Sequence, residues 1–148
     1  MAARRRAIRV LVVDDDALFV ALAREWLASE PALDFVGWAP DGEEALEVVS
    51  RLKPEVVLVG GVLPGHEGFE TARRIKALPG APLVVVTSFA DSESVRHEAW
   101  ISGADAFVAK TDLTEQLPSL VAAASQKAAR AMNSRPSGVR VVANDVGD

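Results

Sequence analysis

Five short stretches of this chain are apolar at nearly every successive position: IRVLVV from Ile8, DFVGWA from Asp34, VVLVG from Val56, LVVVT from Leu83 and AFVA from Ala106. A strand wetted on one face alternates apolar and polar residues, whereas a strand apolar throughout has to be covered on both faces. Segments of helical spacing separate the stretches. Leu18, Ala21, Leu22, Trp26 and Leu27 form one predicted stripe, Ala45, Leu46, Val49 and Leu52 a second, and Phe69, Ala72, Ile75 and Leu78 a third. Val95, Ala99 and Trp100 suggest a fourth, and Leu113, Leu117, Leu120, Val121 and Ala124 a fifth. Strict alternation of strand and helix implies parallel strands joined by right-handed crossovers, with helices on both faces. The expected fold is a doubly wound α/β sheet of five βα units in three layers.

Local punctuation agrees. Pro54, Pro79 and Pro82 fall just before strands, Asp91 with Glu93 and Ser94 opens the fourth helix, Asp112 precedes the fifth, and Gly103 closes the fourth. The helical pattern fails near Met132, where Asn133-Ser134-Arg135-Pro136-Ser137-Gly138 is a cluster of breakers. The expected organisation is a basic extension over 1–7, one domain over 8–130 and a flexible tail over 131–148.

With 148 residues, 49% hydrophobic and 25% charged, the chain can bury a core. A net charge of -5 argues against a nucleic-acid surface, which relies on Lys and Arg to neutralise phosphates. Arg4-Arg5-Arg6 is the one basic run, read as solvated. Without cysteine there are no disulfides, thiolate ligands or thiol nucleophiles. No stretch reaches the ~18 apolar residues that span a bilayer, so a cytoplasmic protein without membrane contact is expected.

The strand ends carry the chemistry. In a parallel sheet, ligands bind outside the carboxyl ends of the strands, where strand order reverses. If the order is the flavodoxin-like 2-1-3-4-5, that point lies between the first strand, ending in Asp14-Asp15, and the third, ending in Gly60. Thr87 and Lys110 close the next two strands. Acids, a hydroxyl and an ammonium around one crevice suit phosphoryl transfer or a metal, and Gly60 leaves the centre without a side chain.

VVDDD, DGEEALE, PEVVLVGGVLPGHEG, LVVVTS and GADAFVAK together resemble the receiver domains of bacterial two-component response regulators, over roughly Ile8 to Ala129. The wording of DFVGWAPDGEEAL and GADAFVAK is most similar to receivers that precede a helix-turn-helix output domain, and a receiver without that domain is expected here. The resemblance implies that an Asp at the third strand end accepts a phosphoryl group from phosphohistidine or an acyl phosphate, with a magnesium ion on the acidic pair. It makes Asp15 the direct metal ligand and Asp14 the water-mediated one. Thr87 becomes the phosphoryl-binding hydroxyl, Lys110 the cation and Phe107 the switch aromatic.

Gly60 stands at the acceptor position, since Leu63-Pro64-Gly65 and Gly68 follow at the family's spacing. It carries no nucleophile, and Val59, Gly61, Glu55 and Glu67 do not replace it. With one anionic ligand gone, Mg2+ binding is expected to be weak or absent, and Lys110 is free to pair with the acids. His66 and His97 are lone histidines to which no role is given.

The expected function is a stand-alone, atypical receiver that is not phosphorylated on aspartate and is not an enzyme. It would signal by contact with a histidine kinase, an output protein, another regulator or a second copy, through its fourth helix, fifth strand and fifth helix. Trp100 and Ile101 are adjacent and cannot both face inward, so at least one belongs to that face. One alternative is an ordinary phosphorylatable receiver with Asp replaced at 60. A remote one is a haloacid-dehalogenase-type phosphatase, with Asp14 of VLVVDDDAL as nucleophile, Asp16 as general acid and VVANDVGD as its last acidic motif.

Overall fold

The computed structural model describes residues 6–61 and 67–134. In order come β1 (Ile8–Val13), α1 (Ala17–Ala28), β2 (Leu33–Ala39), α2 (Gly42–Leu52), β3 (Val56–Gly60), α3 (Glu67–Lys76), β4 (Leu83–Ser88), α4 (Glu93–Ile101), β5 (Ala106–Ala109), a 3-10 turn over Lys110–Asp112, and α5 (Leu113–Ser134). The five strands form one parallel sheet in the order β2-β1-β3-β4-β5. The fold is the flavodoxin-like one expected. The chain divides into two units, Met1–Pro118 and Ser119–Asp148, and what is described of the second is the continuation of α5. Leu63, Pro64, Gly65, His66 and the segment 135–148 lie outside the described residues.

Burial explains the apolar runs. Val10 to Val13, Val57 to Val59 and Val84 to Val86 are completely buried at both odd and even positions, so each of these strands is covered on both faces. One face packs Leu11, Val13, Val57, Val59, Val84 and Val86 against Ala45, Val48 and Val49 of α2, Ala72 and Ile75 of α3, and Ala99 of α4.

The predicted stripe on α1 is rotated. The helix buries Phe19, Val20, Ala23 and Leu27, whereas Leu18 and Leu22 are exposed. Apolar residues run round most of ALFVALAREWLA, so spacing alone does not choose the inward face. α4 starts one residue later than expected: Ser92 is the N-cap, its Oγ accepting from Val95 N–H, while Asp91 pairs with Arg96. Gly103 stops α4 as expected, at φ 88°. Arg6, in the run read as solvated, is exposed and forms a surface ion pair with Glu55 at 2.7 Å.

On α3, hydrogen bonds from Arg73 and then Arg74 pull the Glu70 carboxyl down to about 2 from an ordinary value of 4.5. A lowered carboxyl stabilises the folded state above its ordinary pKa and loses that contribution as pH falls through the folded value. Thermal melts of the wild-type chain and Glu70→Gln should therefore differ slightly at pH 6, and the difference should vanish between about pH 4.5 and 2.

Candidate functional site

Sheet register assembles the site. Gly60 pairs with Thr87 across β3 and β4, Val13 pairs with Val59, and Ser88 pairs with Ala109. The residues just beyond these pairs, Asp14 and Lys110, therefore arrive at the same sheet edge. A cleft of about 330 Å³ opens there, lined by Asp14, Asp15, Asp16, Gly60, Thr87, Ser88, Phe89, Ala90 and Lys110. Every strand-end residue singled out in the sequence lines it.

The three aspartates have separate fates. Asp14 is buried; its Oδ1 accepts from Asp16 N–H at 2.9 Å, and its Oδ2 lies 2.7 Å from Lys110 Nζ. The ammonium approaches Oδ2 as an ion-pair partner without hydrogen-bond alignment, so this oxygen receives charge but no hydrogen bond. The side chains of Lys110 and Asp14 are only 9% and 3% exposed, which makes this a buried pair. Asp15 is exposed. Asp16 caps α1, its Oδ1 accepting from Leu18 N–H at 3.0 Å and Phe19 N–H at 3.2 Å. An Asp directly before an apolar helical run is a cap signal that the sequence already carried.

Gly60 is more than an unfilled position. A Cβ built on it would lie 2.5 Å from Asp14 Oδ2 and 3.0 Å from Asp14 Cγ. The Asp14 carboxylate, drawn in by Lys110, occupies the space where an acceptor side chain would begin. Thr87 is fully buried, with its Oγ1 making a long 3.5 Å contact to Val59 O. Phe107 is half-buried against the core, and the Arg96 guanidinium sits 4.9 Å from its ring centroid. Trp100 and Ile101 are both exposed, at 76% and 59%.

Sequence reading missed two aromatic side chains. Lys110 Nζ lies 4.2 Å from the ring centroid of Phe19, on α1, and 4.9 Å from that of Phe89, just after β4. The rings meet edge to face, with centroids 6.4 Å apart. Trp38 Nε1 donates to Asp14 O at 2.7 Å, fixing the backbone beneath the pair.

The donor set is a poor match for magnesium, which demands near-octahedral oxygen coordination. Both Asp14 oxygens are engaged, Asp16 is committed to the helix end and Gly60 offers nothing, which leaves the exposed Asp15, the expected direct ligand, as the remaining acid of the cleft. Among the described residues no three acidic or histidine side chains converge on one point. Asp16, the general acid of the phosphatase alternative, is committed to the α1 cap, and that alternative's last motif lies outside the described residues.

A five-stranded 2-1-3-4-5 sheet with acids, threonine and lysine at its strand ends is the architecture of a signalling receiver. The family model for the response regulator receiver domain matches residues 10–122, and the chain belongs to that family. Among solved structures it is similar to the receiver domain of the putative response regulator NarL from Mycobacterium tuberculosis, at 27% identity and TM-score 0.73, covering 82% of this chain and 98% of that one. The response regulator domain of Thermotoga maritima CheB is 30% identical at TM-score 0.67, covering 88% of this chain and 100% of that one.

Among curated proteins, a protein-glutamate methylesterase/protein-glutamine glutaminase of Symbiobacterium thermophilum is 40% identical over 72% of this chain. The transcriptional regulatory protein LiaR of Bacillus subtilis is 30% identical over 80%. The chain spans 30% of the length of the first and 56% of the second. The resemblance to receivers of helix-turn-helix proteins is thus shared with a methylesterase that is more alike in sequence. No helix among the described residues is long and apolar enough to cross a membrane.

Proposed function

We propose that this chain is an atypical receiver of two-component signalling that carries no aspartyl phosphate and acts by protein contact. The observation that carries the reading is the occupation of the acceptor's place. Gly60 has no nucleophile, and the Asp14 carboxylate, held by Lys110, fills the volume beside it. The same pair leaves Mg2+ binding weak or absent, since a metal would have to displace an ammonium from Asp14. The cytoplasm, where two-component partners meet, is the proposed location, and no catalysis is assigned to this domain.

The proposed contact face comprises α4 and β5 with the start of α5, where Trp100 and Ile101 stand exposed. The partner is a histidine kinase, an output protein, another regulator or a second copy. Apolar side chains this exposed and adjacent are available for association.

The test pairs the wild-type chain with Gly60→Asp. The new Cβ must push Asp14 off Lys110, and the new carboxylate completes a metal-binding acid set. Without Mg2+ the variant should melt below the wild-type chain, because three carboxylates then share one lysine; added Mg2+ should reverse much of that loss. With acetyl phosphate and Mg2+ the variant should gain one base-labile phosphoryl group while the wild-type chain gains none. Labelling of both chains alike would refute the reading.

A further inference from the structure

The charge partner of Asp14 sits in a setting made for an organic cation. On one side of Lys110 Nζ is the buried Asp14 carboxylate at 2.7 Å; on two others are the faces of Phe19 at 4.2 Å and Phe89 at 4.9 Å. Aromatic faces attract an ammonium through their quadrupole and supply no oxygen donor. Magnesium needs about six oxygen ligands, several of them waters; of the three acids lining the cleft it is Asp14 that pairs with Lys110 Nζ, and the other two neighbours of that ammonium are hydrocarbon surfaces. Phe89 is 63% exposed yet its ring lies against both Phe19 and Lys110. An exposed aromatic ring held against a buried ammonium is what a cation cage requires.

We propose that Asp14, Phe19 and Phe89 form an ammonium-binding site that Lys110 fills from within the chain, taking the place the family gives to a magnesium ion. Lys110 is then a tethered, permanent cation. It fastens α1, the end of β4 and the turn after β5 to one another through Phe19, Phe89 and its own backbone, and the pocket stays in one arrangement whatever the magnesium concentration. The inference rests on the phosphate-free reading only in that Gly60 leaves Asp14 to Lys110. Phosphoryl labelling tests that reading, whereas cation complementation tests this one.

The experiment empties the site and refills it. Lys110→Ala should lower the melting temperature by about 5 °C or more. Millimolar n-propylammonium or n-butylammonium should then raise it saturably, while tetramethylammonium, NaCl at equal ionic strength and MgCl2 should not. Phe89→Leu, altered at an exposed position, should melt only slightly below the wild-type chain. In the Phe89→Leu/Lys110→Ala pair the gain from n-butylammonium should fall severalfold. If Lys110→Ala does not fold, Phe89→Leu alone decides, read by Mg2+ titration in a Trp26→Phe/Trp100→Phe background, where the fluorescence comes from Trp38, whose indole is bonded to Asp14 O. Fluorescence should then be unmoved by Mg2+ with Phe89 in place and should respond in Phe89→Leu. Better rescue by Mg2+ than by n-butylammonium, rescue indifferent to Phe89, or a wild-type Trp38 response to millimolar Mg2+ would each overturn the proposal.

Discussion

Gly68→Ala should cost about 3 kcal/mol, the upper part of the range for overpacking a filled interior. A Cβ there would run into Gly60 O and stand 2.7 Å from the Cα and carbonyl carbon of Gly61. These are backbone atoms of a strand end paired to Thr87, Gly61 N–H donating to Thr87 O at 2.8 Å, so no side-chain rotation relieves the clash. The start of α3 has to withdraw, and with it the fully buried Ala72 and Ile75. Urea unfolding should show a lower midpoint with little change in slope. A midpoint within error of wild type would mean that α3 does not approach β3 as described.

The second large effect is at the buried pair. Lys110→Met keeps the hydrocarbon stem and removes the charge, leaving the 3%-exposed Asp14 side chain without its countercharge and with one hydrogen bond, from Asp16 N–H. Breaking a buried pair from one side costs about 3–5 kcal/mol, because the remaining charge is uncompensated. Adding Asp14→Asn removes that charge and retains an acceptor for Asp16 N–H, so the double variant should recover most of the loss. A single-variant cost below about 1 kcal/mol is what a solvated surface pair would give. That outcome would deny the pair its central place.

These two sites mark how far the sequence carried. The five strands were legible because each is buried on both faces, which leaves an uninterrupted apolar run that no exposed element needs. Alternation of strand and helix implied a parallel, doubly wound sheet, but the 2-1-3-4-5 order had to be assumed; with that order, the strand ends put Gly60, Asp14, Thr87 and Lys110 at one edge, where the structure places them. The inward face of α1 was not legible, because Leu18 and Leu22 are as apolar as Phe19 and Ala23. Nor was the ammonium cage. Phe19 and Phe89 are separated by nearly half of the chain and meet only through the turn after β4, so no local spacing brings them to Lys110. The outward position of Trp100 was half legible: adjacency required that one of Trp100 and Ile101 be exposed, and both are.

The cleft thus has the wall chemistry of a receiver, with its centre closed by its own lysine and aspartate. Gly60 permits this closure, since any side chain there would contest the space now held by the Asp14 carboxylate. On the proposed reading this centre accepts no phosphoryl group. The measurement that meets it most directly is the intact mass of the wild-type chain after exposure to phosphoramidate, a small phosphohistidine-like donor, and separately to acetyl phosphate, each with Mg2+. The expected mass is unchanged in both. A base-labile phosphoryl adduct on any residue lining the cleft would contradict it.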